Sequence, residues 1–110
     1  MKKVLFVCTQ NRLRSPTAEN IFRNSRGIQV KSAGLDPHAK VHLTSDLVEW
    51  ADIIFVMENI HLEKIKKKYS GKLRGKKLIC LNIPDEYDFM QSQLIEILKD
   101  RVPKHLKSLK

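Results

Sequence analysis

Four short apolar runs, at residues 4–7, 28–30, 53–56 and 78–81, are each followed by a stretch of helical pattern, and they constrain this chain more than any other feature. Runs this short and rich in branched side chains are the pattern of parallel strands buried on both faces. Helices are expected over residues 16–24, 45–50, 59–69 and 92–101, with Pro103 interrupting the last and a final turn after it. Alternating strands and helices pack as a parallel sheet with right-handed crossovers and helices on both faces. The expected fold is therefore α/β, with four parallel strands in the order 2-1-3-4. In such sheets ligands bind beyond the carboxyl ends of the strands, where the winding reverses. That place lies between the first and third strands, where Cys8 falls. Ser32-Ala33-Gly34, Met57-Glu58 and Pro84-Asp85 follow the other three strands, so the candidate segments share one edge.

At 110 residues the chain is expected to form one domain, residues 1–110. No apolar run approaches the roughly 20 residues of a membrane span. Met1-Lys2-Lys3 and the run after it are not read as a signal peptide, because the run stops at Cys8 and gives way to Gln10, Asn11, Arg12 and Arg14. Two cysteines, Cys8 and Cys80, make no disulfide framework and suit a reducing compartment, so the cytoplasm is the expected location. His38 and His42 have no third ligand nearby, and no metal site is expected. The net charge of +9 is concentrated between Lys64 and Lys77, a segment without an acid. Such a field attracts anions. A solvated lysine face is the favoured reading over a nucleic-acid site, because Tyr69 is the sole ring in the run.

The chemistry is concentrated in Val4-Leu5-Phe6-Val7-Cys8-Thr9-Gln10-Asn11-Arg12-Leu13-Arg14-Ser15-Pro16-Thr17-Ala18-Glu19. An apolar strand delivers a cysteine to a short polar loop, and Ser15-Pro16 then reads as a cap and first turn of a helix. The unpaired N–H groups and dipole of a helix N-terminus favour an anion, either a thiolate or a bound phosphate. Arg14 adds a planar fork of donors matched to two phosphoryl oxygens, and Arg12 a second charge. Ser15 is placed to donate a hydrogen bond to the thiolate. The loop Thr9, Gln10, Asn11, Arg12, Leu13, Arg14, Ser15 is long enough to wrap one tetrahedral oxyanion with its N–H groups inward. Asn11 is the residue expected to take a left-handed conformation there. The plain reading of Cys8 as a small buried core residue is outweighed by the order of strand, loop and helix.

These residues resemble the low-molecular-weight protein tyrosine phosphatases, whose signature is Cys-x5-Arg-Ser followed by Pro and a small-residue helix. Further similarity is found at Ser32-Ala33-Gly34, at Ala51-Asp52-Ile53-Ile54-Phe55-Val56-Met57-Glu58 and at Pro84-Asp85-Glu86-Tyr87. The resemblance implies a flavodoxin-like three-layer fold and a cysteine-dependent phosphomonoester hydrolase, with phosphotyrosine in proteins as its substrate and no cofactor. It places the family's general acid at Asp85, with Glu86 and Asp88 the other carboxylates of the segment. It makes Ser32 a brace of the nucleophile loop. Tyr87 reads either as a pocket wall that stacks on an aromatic leaving group or as a half-buried ring packed on the last helix. Trp50 and Met57 are assigned to the core.

The chain departs from the family at Gln10, usually Gly, at Leu13, often a second cysteine, and at Glu86, usually Pro. It is also short, which predicts a shallow, open site. Two other readings compete: a basic phosphate- or RNA-binding module that keeps the fold without turnover, and arsenate reduction, for which no relay pair of cysteines is evident. Nothing in the sequence sets an oligomeric state.

Overall fold

A computed structural model describes residues 1–107. The chain runs β1 (Lys2–Cys8), α1 (Arg14–Phe22), β2 (Ile28–Gly34), α2 (Ser45–Trp50), β3 (Ile53–Val56), α3 (Asn59–Lys68), a 3-10 turn (Ser70–Lys72), β4 (Lys77–Cys80) and α4 (Ser92–Lys107). All neighbouring strands are parallel, in the order β2-β1-β3-β4. This is the expected fold class and strand order. No helix among the described residues is long and apolar enough to cross a membrane.

The strands at the centre are buried on both faces, so their side chains sort by period two into two cores. Val4, Phe6 and Cys8 of β1 and Ile53, Phe55 and Met57 at β3 face Ala18 and Phe22 of α1 and Leu94, Leu98 and Val102 of α4. Leu5, Val7, Ile54 and Val56 face Val48 of α2 and Ile65 of α3. Phe6 stacks between Phe22 and Phe55, with centroids 5.9 and 5.4 Å away. Each fully buried Leu, Ile or Phe stabilises the fold by about 1.5–3 kcal/mol, which ties both helix layers to one rigid sheet. Met57 is fully buried as expected, and Trp50 is partly buried against the second core, with the Lys31 ammonium 4.6 Å from its ring centroid.

Two expectations need correction. Pro103 does not interrupt the last helix, which runs unbroken to Lys107. Leu94, Leu98 and Val102 are wholly buried along one stripe that continues to Leu106, and the carbonyl that loses its partner belongs to exposed Lys99. The first helix starts at Arg14, with Leu13 in the cap position and no side-chain cap, so Ser15 is not the cap. Its hydroxyl turns instead toward the sheet edge, where it donates to the Ala33 carbonyl of β2 at 3.4 Å.

Candidate active site

β1 ends at Cys8, whose thiol is 3% exposed at the carboxyl edge of the sheet, between β2 and β3. Residues 9–13 then loop over the edge into α1. The segment after β2 grips this loop from outside: Leu35 N–H donates to the Cys8 carbonyl (3.1 Å), Asp36 to Thr9 (2.9 Å) and Lys40 to Gln10 (3.0 Å). The loop carbonyls therefore point outward, and the N–H groups of residues 9–13 make no backbone hydrogen bond among the described residues. Asn11 sits at φ 55° and reverses the chain in the left-handed region that Asn tolerates. Gly34 permits the close approach of β2, because a Cβ there would lie 2.6 Å from the Thr9 carbonyl oxygen and 2.9 Å from the Asn11 nitrogen.

A cavity of about 270 Å³ opens above the loop, lined by Cys8, Thr9, Gln10, Arg12, Leu13, Arg14 and Asp85. No aromatic ring lines it among the described residues. The Cys8 Sγ lies 2.9 Å from the Ser15 Oγ. Asn11 Nδ2 donates to Ser15 Oγ (2.8 Å) and to Ser32 Oγ (2.9 Å), and Ser32 in turn donates to Glu19. The Asn11 amide thus locks the loop to both α1 and β2.

Arg14 is 2% exposed. Its Nη1 donates to Glu58 and to the Ile83 carbonyl (2.9 Å), and its Nε lies 3.8 Å from the Asp85 carboxylate. A buried guanidinium held on two sides is a pre-aimed cation, with its remaining donors fixed in one plane. Asp85 itself is exposed at the rim of the cavity, across from Cys8. Glu86 and Asp88 are exposed and do not line the cavity. Tyr87 packs against the core cluster of Phe6 and Leu98 and adds no ring to the pocket wall. Cys80 closes β4, half-buried, its thiol 3.4 Å from Asn82.

Glu58 and Gly34 lie in segments expected at this edge without an individual role, and His61 is a site residue that the sequence does not single out. Glu58 and His61 cap α3 reciprocally: Glu58 accepts from the His61 backbone region and its own N–H donates to His61 Nδ1 (3.0 Å). Since Nδ1 accepts, the ring proton sits on Nε2, which donates to Thr9 Oγ1 at 2.9 Å. Burial, aided by the Arg14 charge, pushes the His61 pKa down to about 4, so the ring is neutral at pH 7. The available signal was the Glu-x-x-His spacing at a helix start, a variant of the capping box.

A model of the family described as "Low molecular weight phosphotyrosine protein phosphatase" matches residues 3–49. The low molecular weight protein-tyrosine-phosphatase Etp of Escherichia coli K12 is 29% identical over 114 residues, 76% of each chain. A protein-arginine-phosphatase of Bacillus subtilis is 32% identical over 100 residues, 66% of each chain. The tyrosine phosphatase amsI of Erwinia amylovora superposes with a TM-score of 0.77 at 22% identity, covering 97% of this chain and 92% of that one. Sheet order, loop and sequence together define the class: cysteine-dependent phosphatases of the α/β type. Within it, the chain belongs to the low-molecular-weight protein tyrosine phosphatase family.

Proposed function

We propose that this chain dephosphorylates phosphotyrosine in proteins, with Cys8 as nucleophile, Arg14 as phosphoryl clamp and Asp85 as general acid and base. The observation that carries the reading is the convergence of these three side chains on one cavity, with Ser15 2.9 Å from the Cys8 thiol. The Cys8 thiolate attacks phosphorus while the ester P–O bond breaks, and Asp85 gives its proton to the departing oxygen. The loop N–H groups and Arg14 hold the three equatorial oxygens as charge spreads over them. Asp85 then takes a proton from water as that water attacks the cysteinyl-phosphate, the P–S bond breaks, and phosphate leaves a regenerated thiolate. Thr9, Gln10, Asn11, Arg12 and Leu13 supply the backbone cradle, and Ser32 braces it through Asn11.

Two features favour an aryl ester over phosphoarginine. Exposed Arg12 at the lip repels a guanidinium, and Leu13 offers an apolar surface to a ring. Arsenate reduction is disfavoured because Cys8 on β1 and Cys80 on β4 are separated by β3, about 10 Å at the usual strand spacing and beyond disulfide reach. A thiolate nucleophile belongs in a reducing compartment, and the cytoplasm is the proposed location.

The test is acid-quenched mass spectrometry during turnover of a phosphotyrosine peptide and a phosphoarginine peptide. A phosphoryl adduct on Cys8, formed faster from phosphotyrosine, is the expected result. An adduct formed faster from phosphoarginine would move the substrate assignment. Phosphate binding with no adduct and no turnover would make the chain a binding module.

A further inference from the structure

We propose that the groove between α3 and the segment after β2 docks an acidic stretch of the phosphoprotein substrate, flanking the phosphorylated residue. The inference rests on the phosphatase reading above, and concerns a surface outside its cavity.

The groove encloses about 450 Å³, with Leu35, Leu43 and Tyr69 as its floor and Lys64, Lys67 and Lys68 along its rim. The three lysines stand at i, i+3 and i+4, so α3 presents them on one face. None of them joins an ion pair among the described residues. Two cations further along the chain are occupied: Lys72 bridges Glu49 at 2.6 Å, and the Lys76 ammonium donates to the carbonyls of Glu49 (2.9 Å) and Ala51 (2.5 Å). A row of unneutralised lysines over an apolar floor is complementary to carboxylates interspersed with apolar side chains. The floor does not suit nucleic acid, because Tyr69 is 8% exposed and its hydroxyl is tied to the Leu43 carbonyl, leaving no free ring face for a base.

Two elements that line the groove are hydrogen-bonded to the nucleophile loop. Leu35, on its floor, donates its N–H to the Cys8 carbonyl, and the far end of the same segment closes on Gly34, which donates to the Val41 carbonyl and accepts from Leu43. His61, one turn before Lys64 on α3, holds Thr9 of the nucleophile loop. From His61 to Lys68 the helix rises about 10 Å, or roughly three residues of extended peptide. Acidic residues within a few positions of the phosphotyrosine would therefore lie over the lysine row while the phosphate occupies the loop.

The experiment compares three substrates of the full chain: para-nitrophenyl phosphate, a phosphotyrosine peptide with Glu-rich flanks and one with Gln in their place. Wild type and the Lys67→Glu/Lys68→Glu variant are assayed, and binding of the unphosphorylated Glu-rich peptide is measured separately by fluorescence anisotropy. Two or three partly screened charge pairs should give roughly 5–10-fold higher kcat/KM for the Glu-rich peptide, lost in the variant and at high salt. Para-nitrophenyl phosphate turnover should be the same in both proteins, which also shows that the variant folds. Equal kcat/KM for the two peptides with para-nitrophenyl phosphate turnover intact would overturn the docking site alone. Absent turnover would overturn the phosphatase reading, and anisotropy would still decide the groove. Failure of the peptide to bind while a single-stranded RNA binds wild type and not the variant would make the groove a nucleic-acid site and refute the proposal.

Discussion

The Sγ of Cys8, the last residue of β1, lies 2.9 Å from the Oγ of Ser15, the second residue of α1. The helix begins one residue before Ser15, so its hydroxyl does not cap the helix and instead meets the thiol, the Asn11 amide and the Ala33 carbonyl of β2. Neither an acid in the first turn nor a side-chain cap competes for the helix N-terminus. Its positive end is left to the cavity, where an anion would sit.

Arg14→Lys is expected to lose most turnover, about 10²–10³-fold in kcat, because a single ammonium cannot keep the Glu58 and Ile83 contacts and also present two coplanar donors to phosphate. Steady-state kinetics of the folded variant checks this. An active Lys variant would remove the clamp role.

Asp85→Asn should slow phenyl phosphate and phosphotyrosine by roughly 10²-fold or more, and para-nitrophenyl phosphate much less, since a good leaving group departs without a proton. The comparison of kcat across leaving groups reads the effect. Equal losses would move the acid role to Glu86 or Asp88.

Much of this arrangement was legible in the residues. The spacing of apolar runs fixed four parallel strands because burial on both faces leaves few other ways to pair them, and Asn11 was the loop residue best suited to a positive φ, observed at 55°. Helix boundaries were less legible: Ser15-Pro16 carries a strong local capping signal, yet tertiary demand for the Ser15 hydroxyl at the thiol set the start at Arg14. Pro103 is a strong local breaker, and packing along α4 overrode it. The site role of His61 and the Arg14 contact of Glu58 were not legible because their partners, Thr9 and Arg14, are remote in sequence, and single-chain spacing holds no record of such contacts. Tyr87 had two local explanations, and only the packing chose between them.

His61 gives the fold a pH dependence with a defined sign. Its pKa is near 4 folded, against about 6.5 unfolded, so the unfolded chain binds the extra proton between those values. The stabilisation from the neutral ring is complete above about pH 6.5 and declines as pH falls toward 4. Urea midpoints at pH 7 and pH 5 should fall more for wild type than for His61→Gln. Parallel declines would show that the ring does not titrate this way.

Gly34→Ala is expected to destabilise the protein by about 1–3 kcal/mol, since the new methyl would press on Thr9, Asn11 and Ala39 at the base of the loop. Turnover should fall as well, because the displaced backbone belongs to the proposed phosphate cradle. Thermal unfolding and para-nitrophenyl phosphate hydrolysis together check both effects; an unchanged melting temperature would contradict the close approach.

The most direct test of cysteine catalysis at this loop is steady-state hydrolysis of para-nitrophenyl phosphate without added metal, for wild type and Cys8→Ser, with vanadate as inhibitor. Turnover that vanishes in Cys8→Ser and is blocked competitively by vanadate is the predicted result. Turnover that survives the substitution would contradict the account.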